Sequence, residues 1–327
     1  MKGFEDMSRV LVVGPGAVGI ALAYGLTLSS RYDVYLGVAE RHLNYVGKGF
    51  EIEDPRGFES YFRPQRILLT DREVPRMEPF DVVILATKMH DLEKALAFVR
   101  NVVGIDTSVI TVQNGWNPHR VCVGVYGFRA VHAVLTMGVS KVGRNRLRIA
   151  SFGEAYVGSL YGVTRYVVSA STVLKDAGMD VHIVEDVEPW IALKLIVNAA
   201  INALTAILRV PNGALLSEPL TKLLSDVVDE TRIVVEKCFG ISLPLNPVNA
   251  VIRVIEETAS NRSSMLQDLE EGRKSEIDYL NCLVSEVAKG CGLEAKLNKA
   301  LCIIVRWLEV AKGLRDGSDY GVDSFRR

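Results

Sequence analysis

The sequence predicts an α/β domain on a mostly parallel sheet, followed by an all-α domain. Three observations carry this reading. Short β-branched runs alternate with helical patterns through the first half, a glycine-rich turn directly follows the first of those runs, and beyond Pro189 long apolar-periodic segments take over. The change of pattern lies at about residues 185–189, giving domains of 1–187 and 188–327. With 327 residues, 49% of them hydrophobic, the chain can bury two cores.

The first run, RVLVVG from Arg9 to Gly14, leads into GPGAVG and then the helix-like AVGIALAYGL. A G-x-G-x-x-G hexad alone is weak evidence, because glycines are common. Set between a strand and a helix, it reads as the dinucleotide-binding turn of a Rossmann-like domain. Gly14 makes the tight turn, Gly16 lets the backbone approach a pyrophosphate, and Gly19 lets the helix pack on the strand. Pro15, Ala17 and Val18 complete the loop at the helix N-terminus, where the backbone amides favour phosphate. The stretch from Val10 to Ser30 is uncharged and superficially suits a signal peptide or a membrane span. Three glycines and a proline at its centre, and a new strand-like run from Asp33, argue instead for a soluble cytoplasmic protein without a membrane partner.

Strand-like runs recur at Asp33 to Val38, Asp81 to Lys88 and Ser108 to Gly115, with the helical pattern DLEKALAFVRNV among them. That order implies a parallel sheet with helices on both faces. Ligands of such sheets sit beyond the carboxyl ends of the strands, so Thr87, Lys88, Asn114 and Gly115 are expected to face the cofactor and the cleft. Lys88 reads equally well as a solvated lysine, and QNG as no more than a turn. A more purely strand-like region follows, from Arg146 to Leu160, and closes near DVHIVEDVEP.

The helical domain begins with Trp190 to Arg209, followed by Leu220 to Phe239, Pro247 to Glu257, Glu276 to Lys289 and Leu297 to Lys312. Its first helix is apolar nearly all round. At about 100° per residue, Lys194, Asn198, Asn202, Thr205 and Arg209 share an arc of roughly 80°. Such a stripe is either a thin solvated face or the lining of a cavity. Desolvating an ammonium and two amides without partners is costly, so the cavity reading calls for a polar ligand. Further on, NRSSMLQDLEEGRKSEID gathers Asn261, Ser263, Ser264, Gln267 and Asp268. Ser264 and Glu276 would lie about 120° apart on one unbroken helix, and only a break at Gly272 lets them converge.

Bulk composition excludes several classes. Lys and Arg number 38 against 39 Asp and Glu, for a net charge of -1, which argues against a nucleic-acid partner and for a small molecule. Cys122, Cys238, Cys282, Cys291 and Cys302 form an odd set without CxxC and read as reduced, mostly buried thiols. His42, His90, His119, His132 and His182 show no metal-ligand spacing, so no metal is expected. No repeats or low-complexity tracts are present.

Taken together, GPGAVG, LATK, VQNG, KLIVNAAINALTAI, PNGAL and NRSSMLQD…R…EID resemble, in order and spacing, the ketopantoate reductases (2-dehydropantoate 2-reductases). The resemblance covers nearly the whole chain, and K-x3-N-x3-N-x-LTA with SSMLQD is its most specific part. It implies a C-terminal domain of the 6-phosphogluconate dehydrogenase-like type, substrate bound in the cleft between the domains, and reduction of ketopantoate to (R)-pantoate with NADPH on the way to pantothenate and coenzyme A. It further implies Lys194 as general acid and Glu276 as its catalytic partner. Asn114, Asn198, Asn202, Asn212, Asn261 and Ser264 fall at substrate-binding positions, with Thr87, Lys88 and Asn114 also near the cofactor. A homodimer is expected.

Two stretches depart from the family pattern. Where members carry an ARGEHL-like run whose arginine meets the 2′-phosphate of NADPH, this chain has AERHL, with Glu40 near the arginine's place and Arg41 beside it. An acidic residue about 20 positions past the glycine motif suits the ribose 2′-hydroxyl of NADH, so NADH stands beside NADPH as an expected cofactor. The leading MKGFED extends the usual start and reads as a tail or an earlier start. Two other readings use the same residues: a reductase of another branched 2-keto acid, and a dinucleotide-binding sensor without turnover. Lys194 and its stripe speak against the sensor, since holding a nucleotide requires no buried acid.

Overall fold

The computed structural model describes residues 7–74 and 76–317. MKGFED therefore lies outside the described residues. The chain divides into two compact units after Val187, and each is described by itself.

The first unit runs β1 (Ser8–Val13), α1 (Ala17–Ser29), β2 (Tyr32–Val38), α2 (Leu43–Gly47), β3 (Phe50–Glu53), β4 (Glu59–Phe62), β5 (Arg66–Leu69), β6 (Phe80–Leu85), α3 (Leu92–Val99), β7 (Val103–Thr111), α4 (Pro118–Tyr126), β8 (Ala130–Leu135), β9 (Gly138–Gly143), β10 (Arg146–Ser151), β11 (Glu154–Gly158), α5 (Arg165–Asp176) and β12 (Asp180–Ile183). Eight strands form one sheet in the order β5-β2-β1-β6-β7-β8-β11-β12. Every pairing in it is parallel except that of β8 with β11. Val10 and Val12 of β1 face one buried cluster and Leu11 and Val13 the other, which is why this strand is apolar throughout. The chain starts at β1, builds outward through β2, and returns to β1's other side with β6. The order reverses between β1 and β6, where a doubly wound sheet binds its ligand. Val13 pairs with Leu85, so the loops after both strands leave the sheet at the same level.

Part of this unit departs from the expected pattern. β3, β4, β9 and β10 form a separate four-stranded sheet. The region expected to be strand-like up to DVHIVEDVEP is interrupted by α5. Its sequence RYVVSASTVLKD is rich in β-branched residues, yet Tyr166, Val167, Ala170, Val173 and Leu174 are buried at helical spacing, and the Thr164 side chain caps the helix by accepting from the Val167 amide. Tertiary burial and a cap outweigh propensity here.

The second unit is helical: α6 (Glu188–Leu208), α7 (Leu220–Val234), α8 (Pro247–Glu257), α9 (Ser264–Glu270), α10 (Asn281–Gly290) and α11 (Lys296–Ala311). A π-helical turn, Val235–Phe239, extends α7. The helix expected from Glu276 is preceded by a tight turn over Ile277–Tyr279 and begins only at Asn281. α6 is the axis, in contact with α7, α8, α9 and α11. It is long and apolar enough to cross a membrane by length and composition, but 72% of its most apolar window is buried inside the protein. Arg209 does not extend the polar stripe. It takes a left-handed φ of 58° and ends the helix at Leu208, with Pro211 close behind.

The cysteines also depart from expectation. Cys282 and Cys302 form a disulfide between α10 and α11, and Cys122, Cys238 and Cys291 are free thiols. Residues 20 apart in sequence carry no pairing signal, whereas their neighbouring helices bring the two Cα atoms to 5.0 Å.

Candidate active site

The glycine loop occupies the point where the sheet order reverses. A Cβ at Gly14 would come within 2.7 Å of the Ala86 carbonyl oxygen, and φ at Gly14 is +116°; a Cβ at Gly19 would collide with the Gly14 carbonyl oxygen. Both glycines are therefore demanded by the protein's own backbone. Gly16 is different. A Cβ there would meet only the Ala86 oxygen, at 3.9 Å, so internal packing does not require glycine. Its bareness suits a ligand approaching from outside, and Gly16 is the N-cap of α1 without a side-chain cap bond. These residues fit a dinucleotide pyrophosphate.

Thr87 follows β6 beside this loop, and its hydroxyl accepts from Gln113 Nε2 at 3.3 Å. Lys88 caps the short turn Met89–Asp91, while Asn114 precedes Gly115, whose φ is +97°. The turn reading of QNG and its site reading are thus compatible. Gln113 was not singled out by sequence; its Oε1 is buried with no hydrogen-bond partner next to Thr87.

Glu40 opens a single turn just after β2, with its amide donating to both carboxylate oxygens of Asp71 at 3.0 and 3.1 Å. Its carboxylate accepts from Arg72 Nη2 at 2.6 and 2.8 Å and from Arg72 Nε at 3.2 Å. Arg41 turns aside and donates from Nε to His42 Nε2 at 3.1 Å. Burial, then Arg41, then Lys141 hold the His42 pKa below its ordinary value.

In the second unit, Lys194, Asn198 and Asn202 stand on successive turns of α6. Asn202 is buried, and Lys194 and Asn198 are half-buried. The Asn198 side-chain nitrogen is buried with no hydrogen-bond partner. Thr205 Oγ1 donates to Ser263 Oγ at 2.7 Å, and Ser263 in turn caps α9 by accepting from the Leu266 amide at 3.2 Å. Burial lowers the Lys194 pKa to about 8, with attraction to Glu276 opposing the fall. Glu276 itself is 6% exposed. A buried carboxylate facing a lysine of lowered pKa is the arrangement expected for a proton donor.

Glu276 is positioned from both sides. Ser275 donates from its amide and hydroxyl to Glu309 Oε1, at 2.8 and 2.6 Å. Asp278 accepts from Arg306 Nε at 2.7 Å and Arg315 Nη2 at 2.6 Å, and Arg315 Nε also donates to Glu309 at 2.7 Å. None of Ser275, Glu309 or Arg315 was legible as part of the site, because the contacts that tie Glu309 and Arg315 to the Glu276 segment, to Ser275 and Asp278, join residues 34 and 37 apart. The break that brings Glu276 back is present: α9 ends at Glu270, and Gly272 has φ +68°.

The remaining expected residues differ in setting. Ser264 and Asn261 are exposed, and it is Ser263 that turns inward to α6. The Asn212 amide donates to the Asn261 carbonyl at 2.9 Å, and its side chain donates to Thr258 Oγ1 at 2.9 Å, leaving the buried Asn212 Oδ1 without a partner. Asn212 and Asn261 are thus brought together through the backbone. Elsewhere, Glu154, Asp180 and His182 meet across β11 and β12, with His182 Nε2 3.7 Å from each carboxylate. No sequence spacing announces that group, because the strand register assembles it.

Residues 10–162 match the family model described as "Ketopantoate reductase PanE/ApbA", and residues 186–309 match "Ketopantoate reductase PanE/ApbA C terminal". A 2-dehydropantoate 2-reductase of Archaeoglobus fulgidus is 30% identical over 306 residues, covering 93% of this chain and 98% of that protein. One from Pyrobaculum aerophilum is 34% identical over 235 residues, covering 72% of this chain and 79% of that protein. Among solved structures, a D-mandelate dehydrogenase with NADH and anilino(oxo)acetate superposes with a TM-score of 0.82 at 23% identity, covering 94% of this chain and all of that one, a likeness of fold.

Proposed function

The chain belongs to the ketopantoate reductase family, and from that premise we propose how its own residues carry out the reduction of 2-dehydropantoate to (R)-pantoate, a step toward pantothenate and coenzyme A. The observation that carries the proposal is the buried Glu276 acting on Lys194, with the unpartnered Asn198 amide one turn away.

Gly14, Pro15, Gly16, Ala17, Val18 and Gly19 hold the pyrophosphate, with Thr87, Lys88 and Asn114 at the neighbouring strand ends. A bound nicotinamide dinucleotide supplies the hydride. Lys194 keeps a proton on Nζ and presents a positive charge to the keto oxygen, then delivers the proton as that oxygen becomes an alkoxide. Its lowered pKa makes the proton easier to release near neutral pH, while Glu276 keeps enough of it bound. Asn198 and Asn202 orient the substrate carboxylate or hydroxyl. Ser264, Asn261 and Asn212 complete the substrate set, with Asn212 Oδ1 offering an acceptor.

NADPH is the family's coenzyme, and Glu40 adds NADH. We further propose a cytoplasmic homodimer. Ile303, Ile304 and Trp307 on α11 are 44%, 44% and 39% exposed and offer an apolar face to a second copy.

Steady-state oxidation of NADH and NADPH with ketopantoate tests the assignment, with ketoisovalerate as comparison. Loss of the terminal hydroxyl is expected to lower kcat/KM at least about tenfold, since buried polar partners are left unpaired. Equal efficiency would mean that the site reads a branched 2-keto acid without a hydroxyl subsite. Cofactor binding without turnover of either compound would identify a sensor.

A further inference from the structure

β11 and the edge strand β12 run parallel, with Glu154 beside Asp180 and Tyr156 beside His182. Residues two apart on a strand share a face, so all four side chains project from the same side of the sheet. The backbone beneath them is fixed: the Glu154 amide donates to Thr136 Oγ1 at 2.8 Å, and the Asp180 amide to the Gly153 carbonyl at 3.0 Å. Tyr156 then orients two of the side chains. Its hydroxyl donates to Glu154 Oε2 at 3.1 Å, which leaves Oε1 toward His182, and its ring stacks on the imidazole with centroids 5.1 Å apart and planes at 21°. His182 Nε2 lies 3.7 Å from Glu154 Oε1 and 3.7 Å from Asp180 Oδ2. Each separation is too long for a hydrogen bond. The nitrogen is thus equally far from two carboxylate oxygens without bonding either, and one ligand atom from each of the three residues lies within 4.8 Å of the others.

We propose that Glu154, Asp180 and His182 form a site for a divalent transition-metal ion of the zinc type, bridging β11 and β12 at the edge of the sheet. Ligands held tetrahedrally at about 2.0–2.2 Å from an ion stand roughly 3.4 Å from one another, so the two 3.7 Å separations need to close by only about 0.3 Å. The Asp180 side chain is largely exposed and free to make that move. One imidazole with two carboxylates suits zinc, cobalt or manganese, whereas magnesium and calcium favour oxygen ligands alone. Two carboxylates also balance the charge of a divalent ion. Tyr156 supplies the outer hydrogen bond that fixes a ligating carboxylate, and the open side of the group leaves a fourth position to water. The site departs from the expectation of no metal, which rested on histidine spacing along the chain. Here a single histidine is completed by two carboxylates, and the strand register rather than a local motif gathers them.

The test uses the full chain, stripped of metal with a chelator and dialysed to equilibrium against micromolar zinc. A single ion per chain is expected. His182→Ala, and Asp180→Asn, which keeps the side chain's size while removing its charge, should each weaken binding at least about tenfold, and Tyr156→Phe roughly tenfold through loss of its bond to Glu154. Cobalt(II) reports the ligands directly. It should show the visible bands of a tetrahedral nitrogen–oxygen site, lost in His182→Ala, and no thiolate charge-transfer band. Three outcomes would each overturn the proposal: no zinc bound; zinc bound equally by wild type, Asp180→Asn and His182→Ala, as for an adventitious surface ion; or a thiolate band placing the metal on Cys122, Cys238 or Cys291. Neither substrate nor nucleotide takes part, so the outcome is independent of the reductase assignment.

Discussion

The Glu40 carboxylate is held side-on by the Arg72 guanidinium, with its two shortest contacts at 2.6 and 2.8 Å, across the loops that follow β2 and β5. An acidic group at the end of β2 favours the ribose 2′-hydroxyl of NADH and repels the 2′-phosphate of NADPH. Here the repulsion is compensated by a cation that can itself turn toward a phosphate. Both groups are more than half exposed, so the pair contributes little to folding, and the role we propose for it is in cofactor selectivity.

Wild-type protein is accordingly expected to use NADH well and to retain NADPH. Glu40→Arg should shift the ratio of kcat/KM values toward NADPH by at least about tenfold, a change of roughly 1.4 kcal/mol. Arg72→Ala should move it the other way. A wild-type preference for NADPH above about a hundredfold would show that Glu40 does not reach the ribose.

Lys194→Ala is expected to lower kcat by roughly a hundredfold or more, the scale for loss of an oxyanion-stabilising donor and proton source. Cofactor affinity, read by nucleotide fluorescence without substrate, should hardly change. Near-normal turnover combined with lost cofactor affinity would make Lys194 a nucleotide ligand instead.

The pH profile follows from the same lysine. Its pKa in the folded protein is lowered to about 8, and in the proposed role the working form is the ammonium, so activity is expected below that value and is expected to be lost as pH rises through it. kcat/KM for the reduction should therefore be flat near neutrality and bend downward near pH 8. Glu276 opposes the depression of the lysine pKa, so Glu276→Gln should move the bend to lower pH. An unmoved bend in that variant would dissociate Glu276 from the proton donor.

What was readable in advance divides along physical lines. The glycine turn and the Lys194, Asn198, Asn202 stripe were legible because each depends on local geometry, a strand–turn–helix junction and a 3.6-residue period. Glu276 could be attached to Lys194 only through resemblance, since the turn at Gly272 sets their approach. Arg72, 32 residues from Glu40, and Glu309, 34 residues from Ser275, are contacts of topology with no period to betray them. Ser263 and Ser264 illustrate the finest limit. Adjacent serines are indistinguishable as letters, yet one caps α9 and meets Thr205 while its neighbour faces solvent.

Asn198 gives the sharpest separation of function from stability. Its side-chain nitrogen is buried without a partner, whereas the side-chain nitrogen of the buried Asn281 in the same unit donates to the Ala199 carbonyl at 3.0 Å and to Asn298 at 2.9 Å. A buried donor left unsatisfied costs about 1–3 kcal/mol, so the folded protein carries Asn198 at a loss unless a ligand supplies an acceptor. Asn198→Ala is therefore expected to leave Tm unchanged or slightly raised, despite removing buried atoms, while KM for ketopantoate rises about tenfold or more. Asn281→Ala, which deletes satisfied bonds, should instead lower Tm. Thermal melts with and without substrate settle the matter: ketopantoate should protect the wild type and fail to protect Asn198→Ala. Loss of stability in Asn198→Ala together with unaltered KM would make Asn198 a structural residue and remove it from the substrate site.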